Sequence, residues 1–293
     1  MPSAEAKELL EELRAGVAER LDHPDDAKRL YERAMSGFRA PEGTELSPAR
    51  AGGVDGLRVT AAGADPRIGI LYLHGGGFAV GSAASNQDLL ARLSHAAGVS
   101  AIGIDYRLLP EHPFPAALED TLAAAEELAG ASGPLVIAGA SAGAALAIGA
   151  ALRTSERGGL PAAGLLCLSP WVDLTVSAPS LAVEDEDWFG RDALILAANH
   201  YLDGREPTDP LASPLHADLS GLPPLLIQVG GSEILLDDAR RLADAARRAG
   251  TPAELDVWPG MFHNFQLFAS RLDEGVAALE RAGAWVQQRL RGE

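Results

Sequence analysis

The sequence predicts an α/β protein, a mostly parallel central sheet flanked by helices and carrying a helical cap. Three observations predict it. Short, nearly continuous apolar runs alternate with helical patterns between residues 57 and 290, as expected of strands buried on both faces. An amphipathic helical pattern precedes them, set apart by the Pro/Gly-rich stretch RAPEGTELSPARAGGVDG. Within the run LVIAGASAGAALAIGAAL, Leu135 to Leu152, a β-branched apolar stretch passes directly into an alanine-rich helical one. One serine between two glycines marks the change.

Taken in order, residues 3–21 form the first helix, because Leu9, Leu10, Leu13, Val17 and Leu21 recur at helical spacing among charged residues. Residues 24–37 repeat the pattern over a shorter length. Strands are predicted at 57–62, 68–73, 100–105, 134–139, 164–169, 224–229 and 253–258. Helices are predicted near 85–97, 115–130, 142–154, 235–249 and 271–290. Residues 174–220 break this rhythm with EDEDWF, NHYLDGREPTDP and several prolines, which reads as an insertion packed above the sheet. The division expected is an N-terminal helical cap segment, 1–50, and a catalytic domain, 51–293, interrupted by a cap insertion at about 174–220.

Composition narrows the function. The chain has 293 residues and 47% hydrophobic content, enough for a sizeable core. Its net charge is 24 − 41 = −17, with no Lys/Arg cluster, which argues against nucleic acid or an anionic membrane as partner. The single cysteine, Cys167, lies in the apolar run GLLCLSP and is expected to be a buried structural thiol. No cationic-then-apolar leader opens the chain and no uncharged segment is long enough to span a membrane, so a cytoplasmic location is expected.

In an open parallel sheet, ligands bind beyond the carboxyl ends of the strands. His74-Gly75-Gly76-Gly77 follows one predicted strand and Ser141 another. Ser232-Glu233 follows a third, and Pro259-Gly260-Met261-Phe262-His263 a fourth. Each has an ordinary alternative. The glycines could form a mobile turn, His263 could be a satisfied loop histidine, and Glu233 could favour a helix N-terminus. A phosphate-cradling loop is discounted because its lysine is absent. Together the residues fit acyl transfer. A serine needs a histidine base, the histidine needs a carboxylate to orient it, and the tetrahedral intermediate needs backbone N–H donors. The order Ser, acid, His is that of α/β-hydrolases. Of the histidines after Ser141, namely His200, His216 and His263, only His263 also follows a carboxylate placed just beyond a strand. In GGSEILLDD, Glu233 falls in the rim turn, whereas Asp237 and Asp238 read as solvated residues of the next helix.

The blocks LYLHGGGFAVGS, DYRLLPEHPFPAALED, GASAG, LSPWVDL, GGSEILLDD and WPGMFHNF resemble those of the hormone-sensitive-lipase-like carboxylesterases, bacterial branch, over about residues 55–290. The resemblance implies a Ser141–Glu233–His263 triad, with oxyanion donors at Gly76, Gly77 and Ala142. It also implies a cap formed by the N-terminal helices and the central insertion. It calls for no metal and no organic cofactor, and by analogy it suggests a homodimer. Two positions depart from the pattern, since Ala140 and Glu233 stand where the family often carries Asp. Asp105 and Glu111 read as loop-ordering residues, and Phe78, Trp171, Trp188 and Phe189 as core or pocket wall. The activity implied is hydrolysis of short to medium acyl esters, lactones included. The alternatives are an amidase or formamidase on the same triad, and a non-catalytic ligand-binding relative.

Overall fold

The computed structural model describes residues 2–21, 27–155, 162–182 and 187–292. Eight strands form one sheet: β1 (Glu45–Ala51), β2 (Val54–Thr60), β3 (Asp65–Leu73), β4 (Val99–Ile104), β5 (Leu135–Ala140), β6 (Ala162–Leu168), β7 (Leu225–Gly230) and β8 (Ala253–Trp258). Their order is β1-β2-β4-β3-β5-β6-β7-β8. β1 and β2 are antiparallel, β2 is antiparallel to β4, and every pair from β4 to β8 is parallel. β4, β5 and β7 are buried along their whole length, as expected of nearly continuous apolar strands covered on both sides, with Ser100 in β4 and Gln228 in β7 as their polar members.

β1 lies inside the Pro/Gly-rich stretch that reads as a connection. Its exposed, polar residues suit an edge, where Pro48 costs no ladder bond to the interior. Gly52 and Gly53, both at positive φ, turn it back into β2. Residues 45–50 therefore belong to the sheet, and the helical piece ends before them.

The N-terminal helices are α1 (Ala4–Leu21) and α2 (Ala27–Met35). Residues 24–26 of the expected second helix lie outside the described residues. α3 (Gln87–Ala97) and α8 (Asp273–Arg291) cover one face of the sheet, and Leu9, Tyr31 and Met35 of α1 and α2 join that core. α4 (Ala116–Ser132), α5 (Ala142–Ser155) and α7 (Leu236–Arg248) cover the other. The insertion carries α6 (Arg191–Leu202), whose Leu194, Ala198, Tyr201 and Leu202 are buried against the second core. The Tyr201 ring stacks on Phe78 with centroids 3.6 Å apart. Residues 184–186 of the acidic run EDEDWF lie outside the described residues. Cys167 is buried near the carboxyl end of β6, and burial pushes its thiol up to about 12, so it is a packing residue with little thiolate character.

Candidate active site

Ser141 occupies the single residue between β5 and α5, at φ 51°. A non-glycine residue in this left-handed region is strained, and the surrounding backbone holds it there. Its N–H donates to Leu168 O at 2.9 Å, and its carbonyl accepts from Ala144 N at 3.0 Å and Trp171 N at 3.2 Å. The flanking glycines answer to the same turn. A Cβ on Gly139 would stand 2.2 Å from the Gly143 carbonyl oxygen, and one on Gly143 would stand 2.1 Å from that of Leu73. Strand, helix and the neighbouring β3 close on one another so tightly that only glycine fits on either side of the serine.

His263 follows β8 and Glu233 follows β7, and both are buried. His263 Nδ1 donates to Glu233 Oε1 at 3.1 Å. Glu233 Oε2 accepts from Ser169 Oγ at 2.8 Å and from Gly230 N at 2.6 Å, so both carboxylate oxygens are engaged. With Nδ1–H given to Glu233, Nε2 carries the lone pair, and the Asn264 amide donates to it at 3.1 Å. Asn264 is itself left-handed, at φ 54°, and its backbone N–H donates to Ser169 Oγ at 3.1 Å. The end of β6 thus ties the constellation together. Leu168 receives the Ser141 amide, and Ser169 bridges Glu233 and the histidine loop.

The loop after β3 runs His74-Gly75-Gly76-Gly77, with Gly76 at φ 109° and Gly77 at φ 61°. A Cβ on Gly76 would stand 2.2 Å from Val80 O. The Gly76 carbonyl accepts from Ala79 and Val80 N–H groups, which curls the loop. Among the described residues, neither the Gly76 nor the Gly77 amide meets a hydrogen-bond acceptor. The Ala142 amide opens α5, where first-turn N–H groups have no partner within the helix. His74 packs flat on Tyr106, ring centroids 4.2 Å apart, and donates from Nδ1 to Gly75 O at 2.7 Å. Burial brings it down to about 4, so it is neutral and shapes the loop. Asp105 accepts from Ala83 N, in keeping with an ordering role.

The cap closes over the histidine. The Phe189 ring stands edge-on to His263 at 4.8 Å, and Trp188 Nε1 donates to the His263 carbonyl at 2.9 Å. Phe78 and Trp171, by contrast, are core, with ring centroids 5.8 Å apart. Three supporting residues escape the sequence patterns. Ser169 sits in LSPW, which reads as architecture. Asn264 looks like any loop asparagine. Asp187 is masked by the acidic run around it, although the Trp-Phe pair beside it signals burial.

Asp238 corrects the expectation of a solvated helix residue. It is buried, and Oδ2 accepts the Val172 and Asp173 amides, each at 3.1 Å. Burial, with neighbouring Asp173 adding to it, pushes its carboxyl up to about 7 against the pull of those bonds. A carboxyl raised in the folded state costs stability progressively as pH rises from its unfolded value, near ~3.9, to its folded one. Asn can accept the same two amides without a charge. Asp238→Asn should therefore gain in Tm relative to the parent as pH rises from 5 to 8, at roughly 2 °C per kcal/mol for a chain of this size. Melting curves of both proteins across that range check it, and a pH-independent difference contradicts it. His74 acts in the opposite sense between pH 6.5 and 4 but cancels in the comparison.

Among the described residues, no group of three or more His, Cys, Asp or Glu is arranged to hold a metal ion. No helix among them is long and apolar enough to cross a membrane.

The family described as alpha/beta hydrolase fold matches residues 70–267, well over half of the chain. The crystal structure of an esterase from the bacterial hormone-sensitive lipase family superposes with a TM-score of 0.95 at 38% identity, covering 99% of each chain. The chain belongs to the hormone-sensitive-lipase family of α/β-hydrolases. It is 46% identical over 224 residues to an acetyl-hydrolase of Streptomyces hygroscopicus, covering 74% of this chain and 75% of that one. It is 36% identical over 241 residues to an esterase of Acinetobacter venetianus, covering 80% and 79%. The activity of this hormone-sensitive-lipase relative is thus of the esterase type, on the α/β-hydrolase fold.

Proposed function

We propose that the protein is a serine carboxylesterase acting on short to medium acyl esters, with Ser141 as nucleophile, His263 as general base and Glu233 as its orienting acid. The observation that carries the proposal is the convergence of Ser141, Glu233 and the histidine loop, through Asn264 N–H, on Leu168-Ser169, with Ser141 at positive φ and the Nδ1–H of His263 committed to Glu233. That bond leaves Nε2 as proton acceptor. In the proposed cycle, His263 takes the Ser141 proton as Oγ attacks the ester carbonyl. The amides of Gly76, Gly77 and Ala142 receive the oxyanion, and the imidazolium then protonates the departing alcohol. Water repeats the sequence on the acyl-enzyme.

Size selection is assigned to the cap. Phe189 stands against His263, and Ala197 of α6 lies 3.5 Å from where a Gly77 Cβ would be, so the space above the loop is narrow. With p-nitrophenyl esters from acetyl to dodecanoyl, kcat/KM should fall at least about tenfold from butanoyl to dodecanoyl. Matched anilides should be cleaved far more slowly. Equal or faster cleavage of the anilides would transfer the same triad to an amidase, and a flat acyl series would remove the cap from substrate selection. A homodimer through the free edge of β8, where Val257 is exposed, belongs to the same proposal. Sedimentation velocity tests it.

A further inference from the structure

Asp187 is a cap residue, yet its carboxylate is buried among backbone amides of both triad loops. Oδ1 accepts from His263 N at 3.2 Å and from Trp188 N at 2.9 Å, while Oδ2 accepts from Ile234 N, next to Glu233, at 3.0 Å. Trp188 Nε1 grips the His263 carbonyl, so the pair 187–188 holds the histidine main chain on both sides. The Asp187 carbonyl in turn accepts from Arg14 Nε of α1 at 3.0 Å. Among the described residues no ion pair neutralises the carboxylate, whose charged surroundings are His263, Glu233 and, at its backbone, Arg14. A buried charge without a cationic partner is costly, and a purely structural link between these loops could be made by a neutral side chain.

We propose that Asp187 is a positioning residue through which the cap sets the geometry of the His263–Glu233 pair. It acts in two ways. It fixes the spacing of the two loops by accepting an amide from each, and a misplacement of about 1 Å can cost about a hundredfold in rate. Its charge also favours the imidazolium that forms as Ser141 attacks. Burial, opposed by His263 and reinforced by Glu233, pushes its carboxyl up to about 6. As pH falls through that range the carboxyl takes a proton, weakens as an acceptor and loses its charge, so its protonation adds a second acid-side loss of activity to the one any imidazole base imposes.

The proposal rests on the triad assignment above, so Ser141→Ala is the control. Wild type and Asp187→Asn, as full-length chains, are assayed for kcat and KM on a short p-nitrophenyl ester from pH 5 to 9. Asp187→Asn should lose about 10- to 100-fold in kcat at pH 8 with KM within about twofold. The acid limb of log kcat should have a slope approaching two in wild type and one in the variant. A variant with wild-type kcat and an unchanged slope overturns the proposal, as does one with lowered thermal stability alone. If Asp187→Asn does not fold, the wild-type slope decides, since a single-proton limb contradicts the proposal. Full activity in Ser141→Ala would instead overturn the triad, which keeps the two failures distinct.

Discussion

Ser141→Ala is expected to lower kcat by about 10⁴ or more while the protein keeps its fold and its melting temperature nearly unchanged. Both halves follow from the same contacts. The bonds that build the turn are backbone bonds, from Ser141 N to Leu168 O and from Ala144 and Trp171 to Ser141 O, and alanine retains all of them. Its methyl group takes the place of the serine Cβ in the same left-handed conformation. What disappears is the hydroxyl that the proposed cycle uses as nucleophile. Turnover within about tenfold of wild type, with the variant folded by circular dichroism, would remove Ser141 from the mechanism.

Glu233→Gln should cost up to ~10⁴ in kcat, the scale of a triad Asp→Asn change. The reason is the tautomer. Glu233 accepts three bonds, from His263 Nδ1–H, Ser169 Oγ–H and Gly230 N–H. Glutamine must place its NH₂ group at one oxygen position. Toward Gly230 it would set two donors 2.6 Å apart, so the NH₂ turns to His263 and obliges Nδ1 to accept. The proton then moves to Nε2, the position that receives the serine proton in the proposed cycle. Asp237→Asn should stay within about tenfold, because Asp237 lies on α7 and holds Ser180 N at 2.9 Å, away from the imidazole. If Asp237→Asn were the crippled variant and Glu233→Gln active, the acid would have to be reassigned.

Much of this was legible because burial on both faces leaves a strong mark. The interior strands are nearly continuous apolar runs, and β5, β7 and β8 lie within a residue of their expected ends. The rim turns after β3, β5, β7 and β8 then follow, and with them Gly76, Ser141, Glu233 and His263. β1 was hidden because an edge strand need be apolar on neither face, and Pro48 with Gly52-Gly53 resembles a linker. Asp238 has helical spacing and a charged neighbour in Asp237, yet it faces the backbone of residues 172–173, a long-range contact that no local pattern records. Ser169 and Asp187 escaped for the same reason: their partners are 64 and 76 residues away.

The most direct test of the account is covalent. A p-nitrophenyl alkylphosphonate with a short alkyl chain is incubated with the intact protein, and the adduct is mapped by peptide mass spectrometry. The account predicts one equivalent of phosphonate on Ser141, loss of esterase activity in proportion to labelling, and no adduct in Ser141→Ala or on any other serine, Ser169 and Ser232 included. Stoichiometric labelling of a different serine in the folded protein, or full activity with Ser141 blocked, would contradict it.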